Sequence, residues 1–363
     1  MESMTPSKSQ VGDREITVAP GRVLRTTNVL DTYWRFAAIR QDLFMLRVAG
    51  ESPPWTSDPV LSKHRFTNPY RASDRVSQYL IRNVLYRGTQ SGEEIFFRAL
   101  LFKFFNRIET WEALESRLGP LSWHSFDLER YASVLDATMA SGSRVYSAAY
   151  IMPSPAFGSP RKHRNHLSLL QHMMTDGAPL KLERAKSLRE VFEIIRGYPS
   201  LGDFLAFQFT IDLNYSEMLK FSEMDFVVAG PGARDGIKKC FSNTAGMSEM
   251  DVIRAVAECA EREFERLGLV FQDLWGRPLQ LIDCQNLFCE VDKYARVVHP
   301  DAQGASGRTR IKQRFAQNAA PLPQWYPPKW GLALPSPTVP ATPVVTGRPK
   351  KKRSTQTTLQ FRT

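Results

Sequence analysis

The sequence predicts an all-α protein, and three observations carry that prediction. Apolar residues recur at helical spacing through several long stretches, residues 31–48, 95–108 and 279–298 among them. Ser91 with Glu94, and Ser187 with Glu190, stand directly before apolar runs. That is the spacing of a capping box, which satisfies the first free N–H groups of a helix. Between 187 and 213 two such helices flank a short turn, Tyr198-Pro199-Ser200-Leu201-Gly202, whose Pro and Gly interrupt the helical pattern.

Taken in order, residues 1–28 are polar and aperiodic and read as a disordered arm. Residues 31–48 form an amphipathic helix with Tyr33, Phe36, Ala37, Leu43, Phe44 and Leu46 near one face, ended by Gly50. A loop rich in Pro occupies 53–69. The helix expected over 73–86 follows Arg71 and carries Arg75, Gln78, Arg82 and Asn83 along one edge. Asp74 alone does not neutralise three arginines, so the edge is either phosphate-facing or a solvated face. Residues 95–108 are apolar almost all round, as in a buried helix, and further helices are expected over 110–118 and 128–139. Residues 144–152 are read as helix rather than strand. Arg161-Lys162-His163-Arg164-Asn165-His166 opens the next helix. Its imidazoles lack a carboxylate at ligand spacing, so no metal is expected, and Arg161, Lys162 and Arg164 suit phosphate contact or a solvated loop.

Beyond the Pro199 turn, Leu205, Ala206, Phe209 and Leu213 share a helix face, and residues 230–236 read as a glycine-rich turn open to a ligand. A charged helix is expected over 248–267. The helix over 279–298 is unusual: Leu281, Cys284, Leu287, Phe288 and Val291 build an apolar stripe, and Asp283, Gln285, Asn286, Glu290 and Asp292 crowd the remainder. Gln285 and Asn286, with Asp283, suit recognition of a base outside its stack; the other reading is helix polarity with i,i+4 pairs such as Asp292–Arg296. Arg308, Arg310, Lys312 and Arg314 form a basic cluster suited to a phosphate backbone. From 321 onward the chain is Pro-rich and without periodicity, expected to be disordered, and residues 349–353 (PKKKR) are a basic run of nuclear-import type. A nuclear location and an import-receptor partner are the corresponding expectations.

The 363 residues, 42% of them hydrophobic, suffice for one large core or two lobes with tails to spare. The formal charge is +11, yet seven Lys/Arg and no acid lie from Ala316 onward, so the body is only mildly basic. That balance admits a DNA-binding enzyme with a local groove and argues against a nonspecific coating protein. Cys240, Cys259, Cys284 and Cys289 show no paired metal-ligand spacing, which points to buried thiols and against an iron–sulfur cluster. No apolar run reaches membrane-spanning length and no secretory leader is evident, so a reducing intracellular setting without membrane contact is expected. No G-x-x-x-x-G-K-S/T occurs, which argues against kinase chemistry by these residues alone.

Pro199-x-x-Gly202 followed by Ala206, with Asp225 downstream, resembles the helix-hairpin-helix DNA glycosylase superfamily. In that superfamily the hairpin grips a phosphate beside a flipped-out nucleotide and an Asp faces the exposed sugar. Ser200 replaces the first hairpin Gly here, and Phe204 stands in the place of the nucleophilic Lys, which argues against a Schiff-base lyase. A longer resemblance, over roughly residues 30–316, rests on the strings FTNPYRASDRVSQYLIRNVLY, RVYSAAYIMPS, RKHRNH, LNYSEMLKFSEMDFVVAGPGARDGIKKCF, WGRPLQLIDCQNLFCEVDKYAR and GRTRIKQRF. These resemble the helical domain of 5-hydroxymethyluracil DNA kinases, grouped with α-glutamyl/putrescinyl-thymine pyrophosphorylases and regarded as glycosylase-like. The resemblance implies two helical lobes with the hairpin at their junction, within a domain over 29–316 between a disordered arm (1–28) and tail (317–363). It implies double-stranded DNA bearing a modified thymine as partner, and a base-flipping transferase in which an activated 5-methylene loses pyrophosphate to an amine. A monofunctional glycosylase and a non-catalytic reader are the alternatives. Asp225, with Glu223 and Asp235, would be catalytic. Pro199, Ser200, Gly202, Arg71, Arg75, Arg82, Arg161, Lys162, Arg164, Arg308, Arg310 and Lys312 would hold DNA. Gln285, Asn286 and Asp283 would read the base, and Arg234, Lys238 and Lys239 would neutralise the leaving phosphate. No cofactor is implied.

Overall fold

The structure, a computed structural model, describes residues 14–19, 22–149, 151–317 and 324–334. The stretch carrying residues 349–353 lies outside the described residues, as do 1–13. The described residues are mostly helical. Thr27 caps α1 (Asn28–Val48), its hydroxyl accepting the Val29 N–H, and this helix buries Tyr33, Trp34, Phe36, Ala37 and Phe44. The helix expected over 73–86 is composite: a 3-10 turn at Arg71–Ser73, then α2 (Arg75–Tyr79), then a π-helical turn at Leu80–Leu85. Ser91 caps α3 (Gly92–Phe105), which is buried on nearly every side and stops at Asn106 in a left-handed conformation. There follow α4 (Ile108–Leu118), α5 (Leu128–Ala140), α6 (Lys162–Thr175) and α7 (Ala178–Arg184). Ser187 caps α8 (Leu188–Arg196), and the turn through Gly202 leads into α9 (Asp203–Asn214). Then come α10 (Pro231–Cys240), α11 (Glu249–Glu258), α12 (Ala260–Arg266) and α13 (Leu281–Val298). The apolar core is one continuous cluster running from Ile16 to Tyr326, with α13 lying against α10, α1 and α11.

Four segments depart from expectation. Residues 144–149 form no helix, because α3 and α4 take up their backbone groups: the Val145 carbonyl accepts from Thr110 Oγ1 at 2.8 Å, and Ser147 N–H donates to the Phe105 carbonyl at 2.8 Å. Gly232 and Gly236 are not in a turn but inside α10, where they let it approach α13. A Cβ on Gly236 would sit 2.1 Å from the Phe288 carbonyl oxygen, and one on Gly232 would sit 2.4 Å from Cys289 Sγ. The arm is partly ordered: β1 (Glu15–Ala19) and β2 (Arg22–Thr26) pair antiparallel with Ile16 opposite Leu24, both buried, and β2 pairs with β3 (Phe241–Asn243). Residues 324–334, placed in the tail by composition, lie across the body with a 3-10 turn at Pro328–Trp330. Among the described residues no helix is long and apolar enough to cross a membrane.

Candidate functional site at the two ends of helix α9

The turn before α9 is anchored from within and open outside. Tyr198 and Leu201 are buried, Tyr198 donating to Asp176 Oδ2 at 2.7 Å, and Pro199 and Gly202 are exposed. Ser200 takes the left-handed conformation, φ 63°, that a glycine adopts more readily. Gly202 is the α9 N-cap, so the first N–H groups of that helix open beside the turn. Arg196 pairs with Asp203 and offsets the one acid of that first helical turn.

Immediately inside lies Phe204. Its ring covers Gly230, the N-cap of α10, so closely that a Cβ there would meet Phe204 Cδ2 and Cε2 at 2.9 Å. Gln285 Nε2 lies 3.6 Å from the same point. Gln285 is only 5% exposed, yet its amide makes no hydrogen bond among the described residues. The amide atoms keep an opening to solvent, unlike those of Gln41, both of which are buried without a partner. Such a group marks a place where a ligand polar edge fits.

Asp225 does not face this pocket wall; it is exposed, in the loop before α10. The reason is local: Phe226 turns inward against Phe192 and Phe207, so its predecessor turns out, and Arg254 clamps the Met224 and Asp225 carbonyls. Gly230, not Asp225, stands beside Phe204. The other candidate acids are committed inside. Glu223 pairs with Arg277 at 2.9 Å, and Asp235 accepts from Ser306 N–H at 3.0 Å. Asp283 accepts the Arg71 and Gln280 N–H groups at 2.8 and 3.0 Å. Burial and the neighbouring Glu223 push the Asp283 carboxyl up to about 7. Asn286 donates to Thr67 Oγ1 and the Asn68 carbonyl, a structural use of its amide.

The basic candidates divide in the same way. Arg71 is buried and pairs with Asp212 at 2.6 Å; Lys103 reaches the other Asp212 oxygen at 2.8 Å. Lys239 is buried against Asp292 at 2.9 Å. Arg161 and Arg164 engage Asp136, Arg164 also engages Glu129, and the Lys162 ammonium sits 4.4 Å from the Tyr146 ring centroid. The start of α6 is thus tied to α5 rather than open to phosphate. His166, held between Tyr146 and the Pro153 carbonyl, is pushed down by burial to about 4 and stays neutral. Among the described residues no group of three or more His, Cys, Asp or Glu is placed to hold a metal. Arg234 faces Glu249 at 3.6 Å; Arg75, Arg82, Lys238, Arg308, Arg310 and Lys312 are exposed.

At the other end, α9 finishes under the 324–334 strap, which composition did not reveal. The Lys329 ammonium donates to the carbonyls of Asn214, Ser216 and Leu219 at 2.5–2.6 Å. The Trp330 ring lies 3.9 Å from the Arg277 guanidinium and edge-on to Tyr215. Tyr326 reaches Ser73, and Trp325 N–H donates to Gln78. The Asp212 network was legible in principle: Gln208 and Asp212, four apart, are polar positions within an otherwise apolar helix.

The profile of the family described as "5-hmdU DNA kinase, helical domain" matches residues 27–304. A "5-hmdU DNA kinase" of Bacillus phage SP10 is 30% identical over 284 residues, 73% of this chain and 44% of that protein. The chain therefore spans less than half the length of that relative. No solved structure matches.

Proposed function

Because this chain belongs to the 5-hmdU DNA kinase helical-domain family, we propose that it binds double-stranded DNA carrying a 5-substituted uracil and presents that base for modification at its 5-position. The observation that carries this reading is Gln285: a nearly buried amide without a partner, beside Phe204 and Gly230, directly behind an exposed turn at a helix N-terminus. The turn suits a phosphate; the amide suits the hydrogen-bonding edge of a base drawn out of the stack. The chemistry proposed is transfer at the 5-methylene: an amine nitrogen bonds to that carbon, the carbon–oxygen bond to pyrophosphate breaks, and the nitrogen gives up one proton. That proton passes to water, since Asp225 faces outward, and Arg234 and Lys238, one helical turn apart on the exposed side of α10, are the groups proposed to meet the leaving phosphates. Residues 29–316 are the proposed domain, and 349–353 the proposed import signal. A second reading, a reader without catalysis, is favoured by Asp225 facing outward and by Glu223, Asp235 and Asp283 being committed to other partners.

The test is a titration of the full chain with two duplexes that differ in one base, 5-hydroxymethyluracil or thymine, followed by nucleoside analysis after incubation of a duplex carrying pyrophosphorylated hydroxymethyluracil with candidate amines. Affinity at least roughly tenfold higher for the modified duplex supports recognition. Equal affinities overturn it. A new nucleoside distinguishes the transferase from the reader.

A further inference from the structure

A second charged surface lies away from the turn. The loop following α13 folds back over the body: Ser306 N–H bonds to Asp235 on α10, and Arg296 on α13 donates to the Arg310 carbonyl at 2.9 Å. It then pairs antiparallel with the loop after α1. Arg65 N–H donates to the Gln313 carbonyl and Phe315 N–H to the Lys63 carbonyl, each at 3.1 Å, with His64 opposite Arg314. The resulting two-stranded ribbon exposes Lys63 and Arg65 on one face and, because Arg314 lies directly opposite His64, Lys312 and Arg314 on the other, with Arg308 and Arg310 leading in. Ile311 packs against the core and fixes which way the neighbouring cations point. From 301 to 316 the loop holds four cations and one acid, Asp301.

None of these six cations forms an ion pair among the described residues. Asp235, the acid that Arg308 approaches, is engaged by Ser306, and Glu290 and Asp292 on α13 are matched by Lys293 and by Lys239 and Arg296. A ribbon of bare cations, held by backbone hydrogen bonds and aimed at solvent, is complementary to a regular polyanion. Its placement is also suitable. Asp235, which tethers the loop, lies five residues along α10 from Gly230, about 7.5 Å at helical rise.

We propose that the loop 308–314, whose Lys312 and Arg314 share the ribbon face away from Lys63 and Arg65, is a rail for the phosphate backbone of duplex DNA, with Arg308 and Arg310 leading into it, gripping the flank of the site whose base the Gln285 pocket receives. This rests on the DNA-binding reading above. The rail has no base-reading group, so it contributes affinity irrespective of sequence or modification, and the pocket contributes the discrimination. The arrangement divides the two tasks between separate surfaces.

The test uses the full chain with Arg308→Gln, Arg310→Gln, Lys312→Gln and Arg314→Gln together, and Lys312→Gln alone as the mild variant. Anisotropy titrations with thymine and 5-hydroxymethyluracil duplexes are run across a salt series, with thermal melting to confirm the fold. Each phosphate contact removed lowers the slope of log affinity against log salt by about 0.9, so the quadruple variant loses between about three and four, and the single variant about one. The ratio between the two duplexes stays unchanged. An unchanged slope overturns the rail, as does a loss confined to the modified duplex or failure of the parent to bind either duplex at low salt. A parent that binds both duplexes equally, with the slope falling as stated, leaves the rail standing and removes base recognition instead.

Discussion

The two ends of α9 solve opposite problems. At its C-terminal end the last carbonyls have donors: Lys329 serves that of Asn214 and, just beyond the helix, those of Ser216 and Leu219, and Trp330, stacked on Tyr326, covers Arg277 and Tyr215. In its last turn, Asp212 is matched by two buried cations. At its N-terminal end the turn is exposed, the helix N–H groups face out, and Gln285 stays unpaired beside Phe204. Polar groups at the closed end are satisfied, because an orphan costs about 1–3 kcal/mol. The Gln285 amide, open to solvent and without a protein partner, can take a ligand at little cost to the fold. On the proposed reading one end serves structure and the other recognition, and that contrast can be broken experimentally.

The largest effect is expected at the closed end. Asp212→Ala leaves Arg71 and Lys103 buried without their counter-ion and costs about 3–5 kcal/mol in urea unfolding. A cost below about 1 kcal/mol would mean that the network is dispensable.

Next is the pH response of Asp283. Its carboxyl ordinarily titrates near 3.8, and in the fold is raised to about 7. Between those values the unfolded chain has released the proton and the folded chain still holds it. Its contribution therefore favours folding at low pH, is lost as pH rises toward 7 and is level above, with a slope of at most about 1.4 kcal/mol per pH unit. Asp283→Asn, which keeps an acceptor for the Arg71 N–H, removes that slope; unfolding midpoints of both proteins between pH 4.5 and 8 provide the comparison.

Lys329→Met leaves three carbonyls without their donor and lowers stability by about 1–3 kcal/mol. Discrimination between modified and plain duplex is unaffected, and a change in it would show that the two ends communicate. Gln285→Leu is the converse: unfolding free energy stays within about 0.5 kcal/mol or rises, and preference for the modified duplex falls by about 1–3 kcal/mol. Loss of stability without loss of preference would make Gln285 a packing residue. The smallest change is Arg75→Gln. Its side chain is 63% exposed and 4.0 Å from Glu109, so stability moves by less than about 0.5 kcal/mol.

What was legible in the sequence followed short-range rules. Ser91 and Ser187 accept the N–H groups of Glu94 and Glu190, as their spacing predicts, and the all-round apolar run after Ser91 is buried. Side-chain direction was less legible. Asp225 turns out because Phe226 turns in, and Arg71 turns in because Asp212 waits there. Neither partner is near in sequence: Phe226 lies 34 positions from Phe192 and Asp212 lies 141 from Arg71. Glycine at 232 and 236 signals turn and close helix packing equally well until the facing helix is known.

By itself, then, the chain's pattern of apolar spacing and caps determined that it would be helical, where most helices would begin, and that a turn would expose its Pro and Gly ahead of α9. Only the tertiary structure decided which charged groups are available. It buried Asp283, Lys239 and Arg71, left Gln285 unpaired, laid 324–334 over one end of α9 and paired residues 63–65 with the strand of Lys312 and Arg314. The physical reason is range: capping and helical periodicity act within a few residues, and the pairing of a buried charge depends on what distant segments bring to it.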